Sequence, residues 1–178
     1  MRHRLLILGA LTATALLAVS AAAVAGNLTA TANVSGTAGV SLSLPSGPTF
    51  NDTLDGSDQT VSYSPLLGVV DARGSGSGWN VTISATSFSD GSGHSFAPGE
   101  VTGTTQACHS GSSCTAATPS GVTYPLSISG TASKLFNAAS DTGMGKVDVT
   151  PTIDVAIPGN AYAGTYSSTV TLAAATGP

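Results

Sequence analysis

From Trp79 onward the chain alternates: Trp79, Val81, Ile83 and Ala85 fall on one parity, and Asn80, Thr82, Ser84 and Thr86 on the other. A period of two over that length predicts a strand with one buried face. An apolar run ending at Asp71 precedes it, and a glycine-serine segment lies between. Val69 to Phe88 therefore reads as strand, glycine-rich loop, strand, with Trp79 opening the second strand. The pattern predicts further strands at Leu28–Val34 and Ala38–Leu44, divided by a Ser35-Gly36-Thr37 turn, and around Val61–Tyr63. Val122–Ser129 is another, with Tyr124 and Leu126 inward, and Tyr166, Val170, Leu172 and Ala174 mark a last one. The cleanest alternation runs through KVDVTPTIDVAIP, where Val147, Val149, Ile153, Val155 and Ile157 share a parity. Pro151 inside it cannot donate to a ladder, which places this strand at a sheet edge or gives it a bulge. Ser133–Ser140 fits either a strand or one helical turn, and Ser89–Gly121 is weakly patterned. Nothing past the first 25 residues shows a 3.6-residue period. The expected fold class is all-β, an antiparallel sandwich (Greek-key or immunoglobulin-like) or a barrel-like closure, without substantial helix.

The first 25 residues read differently. Arg2, His3 and Arg4 precede an apolar run from Leu5 to Val19, and Ala23-Val24-Ala25 forms a small-x-small cleavage site before Gly26. This predicts a signal peptide over 1–25 and a single domain over 26–178. A membrane anchor would need about 20 strongly apolar residues. With no second apolar run, no hydrophobic tail and no LPxTG signal, the expectation is an exported protein, not transmembrane after cleavage and held without a covalent link. Without the leader, three cations (Arg73, Lys134, Lys146) stand against nine acids, a net charge of −6. So few cations cannot neutralise a phosphate backbone, which excludes nucleic acid as a partner. Attraction to anionic wall polymers is disfavoured for the same reason, leaving hydrogen bonds and apolar contact.

Candidate chemistry is sparse. There is no Gly-x-Ser-x-Gly elbow, no His-Glu-x-x-His and no phosphate-binding loop, and Gly74, Gly76 and Gly78 precede a strand rather than a helix. An enzyme is not expected, nor a cofactor. Asp52, Asp55 and Asp58 lack the spacing and the bidentate glutamate of a calcium loop, so a solvated turn is favoured over a metal site. His94 and His109 lie in Gly/Ser loops and read as solvated. Cys108 and Cys114, in CHSGSSC, read as a disulfide in an exported protein; the rival Cys-His-Cys site lacks a fourth ligand. Trp79 shares a parity with Val81 and Ile83, which favours a core position, against a contact role at the mouth of the glycine loop. Arg73 has Asp71 two residues before it as its natural partner.

The string DARGSGSGWNVT, carrying Asp71, Arg73, Gly74, Gly78, Trp79 and Val81, resembles the first signature of the WxL family of bacterial cell-surface domains. In that signature Asp-x-Arg-Gly precedes Gly-Trp-x-Leu; Val81 stands here for the leucine. The C-terminal YSSTVTLAAATGP resembles the second, Tyr-x-x-x-Leu-Thr-Trp-x-Leu-x-x-x-Pro. Tyr166, Thr171 and Pro178 match, Val170 stands for leucine, and Leu172 and Ala174 replace a tryptophan and a leucine. The resemblance implies a domain over most of the mature chain that associates non-covalently with the cell wall, with peptidoglycan or other surface proteins as partners. It also makes these motif positions candidate wall-binding residues. The alternative is a structural subunit of a surface appendage or coat assembled by pairing of β-edges.

Overall fold

The computed structural model describes residues 30–178, and Val34–Pro178 forms one unit in it. The predicted leader and Leu28–Thr29 lie outside the described residues. Among the described residues eleven strands run in order: β1 (Val40–Ser43), β2 (Gln59–Tyr63), β3 (Leu67–Asp71), β4 (Trp79–Ala85), β5 (Phe88–Ser89), β6 (Ser95–Phe96), β7 (Glu100–Cys108), β8 (Leu126–Ser127), β9 (Ser133–Ala138), β10 (Gly145–Ile157) and β11 (Val170–Thr176). All pairings are antiparallel. One six-stranded sheet has the order β1-β3-β10-β7-β8 with β2 also on β10, a three-stranded sheet has the order β11-β4-β9, and β5–β6 is a separate hairpin. The fold is all-β, as the alternation predicts. Ala30–Val34 is exposed and unpaired, so the strand expected over Leu28–Val34 does not form among its described residues.

The two sheets enclose one core. Leu67, Val69, Val101, Val147, Val149, Ile153 and Val155 come from the larger sheet, and Trp79, Val81, Ile83, Leu135 and Phe136 from the smaller. β10 is the spine. One of its edges carries β7 from Val147 to Asp154; the other carries β3 along Gly145–Val149 and then β2 along Ile153–Ile157. The edge position that Pro151 suggested for this strand is therefore wrong, and the bulge that was its alternative lies on the partner: between Thr152 and Ile153 the register shifts by one, with the extra residue, Thr102, on β7. Continuing the registers Leu67↔Val149 and Tyr63↔Ile153 inward brings Pro65 opposite Pro151. β2 and β3 are thus one interrupted strand, broken where it faces a residue that also lacks an N–H. Two prolines face each other at a gap in the ladder, so no donor is left waiting for a partner.

The side between β7 and β9 is sewn by the loop over 114–124. The Gln106 side chain on β7 brackets the Ala117 backbone, accepting from its N–H and donating to its carbonyl. The Ser120 amide donates to the Asn137 side chain on β9 at 2.6 Å. The Tyr124 hydroxyl lies 3.0 Å from Thr104 of β7 and donates to the Leu135 carbonyl of β9. The Cys108–Cys114 disulfide joins the end of β7 to the start of this loop, and no free cysteine remains.

Candidate functional site

The loop over 72–78 crosses from the large sheet to the small one, and Arg73 is its fastener. Its guanidinium donates from Nε and Nη2 to the two oxygens of Asp71, each at 2.8 Å, and from Nη2 to the Gly78 carbonyl at 2.6 Å. The Arg73 amide also donates to Asp71 at 3.1 Å. Asp71 ends a strand of one sheet, and Gly78 precedes a strand of the other, so a single side chain ties the two. The Asp71 side chain is 0 % and the Arg73 side chain 8 % exposed. Hydrogen bonds from Arg73 hold the Asp71 carboxyl below the ordinary aspartate pKa against the opposing effect of burial. Burying either charge alone would be costly; together, and with Gly78 taking a further donor, they are satisfied.

Trp79 is 0 % exposed. Its ring packs against Phe136 at 5.6 Å between centroids, and its indole N–H donates to the Gly143 carbonyl at 2.9 Å. Gly143 has φ +71°, and a Cβ there would stand 2.6 Å from Trp79 Nε1. The tight seat for the indole therefore depends on a glycine 64 residues away. The favoured core reading of Trp79 agrees with this geometry, as does the Asp71–Arg73 pair.

The structure places the C-terminal signature directly beside the first. β11 pairs with β4 from Val170↔Ala85 to Thr176↔Trp79, and Leu172 and Ala174 sit opposite Ile83 and Val81. Residues directly opposite share a face, so Leu172 and Ala174 pack against the core from the outer strand, Val170 on the same parity stays exposed at the strand's start, and Thr171 points away. The Gly177 amide donates to the Gly78 carbonyl at 3.1 Å, and Asn80 donates to the Gly177 carbonyl at 2.8 Å, tying Gly177 to the start of β4, while Pro178 beyond it is exposed. Gly74 is exposed at the loop's tip. Tyr166 does not join this group. It precedes β11 at the end remote from Trp79, roughly 20 Å along the strand.

There Tyr166 meets aromatic residues that alternation could not pick out. Phe50 stacks on Tyr63 and meets Phe88 edge-on, Phe88 stacks on Phe96 at 5.1 Å, and Phe96 lies 4.8 Å from Tyr166. Beside this row His94 stacks on Tyr162 at 3.8 Å with 16° between planes. His94 is therefore not the solvated loop residue expected: its Nδ1 lies 2.5 Å from Asp90, which also accepts from the Ser92 and His94 amides. The one signal in the sequence is Tyr166, whose alternation with Val170 marks a strand there; β11 begins only at Val170. His109, just past the end of β7, is exposed as expected and lies 3.0 Å from Asp148.

The three aspartates of the acidic stretch serve turns: Asp52 and Asp55 accept from nearby amides, and Asp58 accepts from Gly159. No group of three or more His, Cys, Asp or Glu among the described residues is placed to hold a metal ion. No described helix is long and apolar enough to cross a membrane.

The described residues thus form a cation-poor, antiparallel all-β domain whose conspicuous motif makes internal contacts. The family model of the WxL domain, described as a surface cell wall-binding domain, matches residues 20–174, and the chain belongs to that family. It is a wall-binding family, not a catalytic one. No curated protein and no solved structure matches the chain.

Proposed function

We propose that the protein is an exported domain that associates non-covalently with the peptidoglycan of the bacterial cell wall and carries out no catalysis. The observation that carries this reading is the family match over residues 20–174, together with its description as surface cell wall-binding. The charge balance supports a particular mode of attachment: three cations outside the first 25 residues, one of them locked in the Asp71 pair, favour hydrogen bonding and apolar contact over ion pairing with wall polyanions. The Asp71–Arg73–Gly78–Trp79 group supports the domain from inside, and the attachment surface lies elsewhere.

Co-sedimentation with purified sacculi tests the proposal. The protein should pellet with sacculi and stay in solution without them, and pelleting should persist in salt high enough to screen exposed charges. Protein that stays in the supernatant with sacculi stripped of other polymers rejects direct wall binding. The second reading, a subunit assembled through β-edges, draws on β11, which ends the small sheet in an unpaired edge. It requires concentration-dependent oligomers in the absence of wall, where a wall binder stays monomeric.

A further inference from the structure

The hairpin β5–β6 and the loop following β10 enclose an open hollow of about 300 Å³. Its walls are held before any ligand arrives. Ser89 and Ser167 exchange two backbone hydrogen bonds at 3.0 Å, tying the hairpin to the chain beside Tyr166. The loop over 158–166 is fixed by Asp58 accepting from the Gly159 amide and by Tyr166 donating to the Tyr162 carbonyl at 3.0 Å. Tyr162 is the feature without a structural purpose. It is 64 % exposed although one ring face lies flat on His94. An aromatic ring packed on one face and open on the other, on a pinned loop, has already lost much of the freedom that binding would cost.

We propose that this hollow is a subsite for an uncharged pyranose glycan, which stacks a sugar face on Tyr162 and takes hydrogen bonds from the rim. A pyranose presents an apolar face of C–H groups and an equatorial belt of hydroxyls. That matches an amphipathic ring flanked by the neutral groups of Ser95, Asn160 and Tyr166. The charges are already used: Asp90 is taken up by His94 and two amides, and no lysine or arginine lines the hollow, so an anionic polymer finds no counter-charge. Assigning the sugar to the wall rests on the wall-binding proposal above; the sugar site itself rests on this geometry.

The test is a titration of the isotope-labelled protein with the tetramer of β-1,4-linked N-acetylglucosamine, followed by NMR. Shifts should concentrate at His94, Ser95, Asn160, Tyr162 and Tyr166. Tyr162→Ala should weaken binding at least about fivefold with an unchanged melting temperature, and Tyr162→Phe should restore most of it. No shifts at millimolar sugar, shifts centred on the Trp79 loop, or a Tyr162→Ala variant that binds as the parent does would each overturn the proposal. Sacculus sedimentation in parallel separates the two ideas. A parent that pellets without tetramer shifts rejects the hollow alone; one that binds tetramer without pelleting rejects wall attachment and keeps the sugar site.

Discussion

At the scale of the residue, Trp79 and Asp71 carry the largest consequences. Trp79→Ala would empty a fully buried site and strand the Gly143 carbonyl, at a cost of about 3–5 kcal/mol. That is a large share of the 5–15 kcal/mol typical of a domain. Chemical denaturation should show it, with Trp79→Phe losing less because most of the apolar area remains. Asp71→Asn keeps the shape but leaves the buried Arg73 charge unpaired, which should cost about 3–5 kcal/mol near neutral pH. The pH dependence has a definite sign. Because the folded-state pKa of Asp71 is lowered, its contribution is complete above the unfolded value near 4 and disappears as pH falls through the folded one. The stability gap between parent and Asp71→Asn should therefore narrow as pH drops below about 4, read from denaturation midpoints at a series of pH values. A constant gap would show that the pair contributes through packing rather than charge. Both residues were legible in the sequence. Parity placed Trp79 inward, and a lone cation two residues from an acid at a turn had an evident partner.

At the scale of the element, legibility follows how far each strand's surroundings are set by its own residues. β4 and β10 alternate because each has one face on the core throughout its length. β9 did not resolve because Leu135 is an extra residue between the partners of Val81 and Thr82, so Leu135 and Phe136 are buried in succession and parity breaks. β7 carries no alternation in the sequence because only Val101 of its nine residues is buried; the rest are held by β10 on one side and the sewing loop on the other. The Pro65–Pro151 meeting is beyond local reading, since neither proline signals the other across some 86 positions. The disulfide was readable from compartment and spacing, but its structural task was not. It anchors the loop that sews β7 to β9, so the bond protects that side of the sandwich as well as the loop itself. Replacing Cys108 and Cys114 by serine should lower stability by about 2 kcal/mol from chain entropy. Hydrogen exchange should quicken first at Ala117, Thr118 and Ser120, and exchange spread evenly over the core strands would contradict the assignment.

At the scale of the whole molecule, the two family signatures are brought together for the sake of the fold. β4 and β11 are neighbours, and the chain end closes on Gly78 and Asn80, so residues far apart in sequence form one interior lock. What sequence alone could not show is that Tyr166, part of the same signature, is carried to the opposite end of the sandwich. The aromatic row there comes from five separate positions that share no period, and only the packing of two loops and the end of β2 against a hairpin unites them. The molecule thus separates its tasks. One end is fastened internally by Asp71, Arg73 and Trp79, and the other leaves an aromatic ring uncovered.

The central claim, that the signature tryptophan is an internal lock and not a wall contact, is open to direct measurement because Trp79 is the only tryptophan in the chain. Its fluorescence reports one site. In the native protein the emission should be blue-shifted and resist quenching by acrylamide, and neither property should change when the protein is loaded onto purified sacculi. Red-shifted emission that acrylamide quenches freely in solution, and that becomes protected once the wall is bound, would contradict the account and place Trp79 on the binding surface.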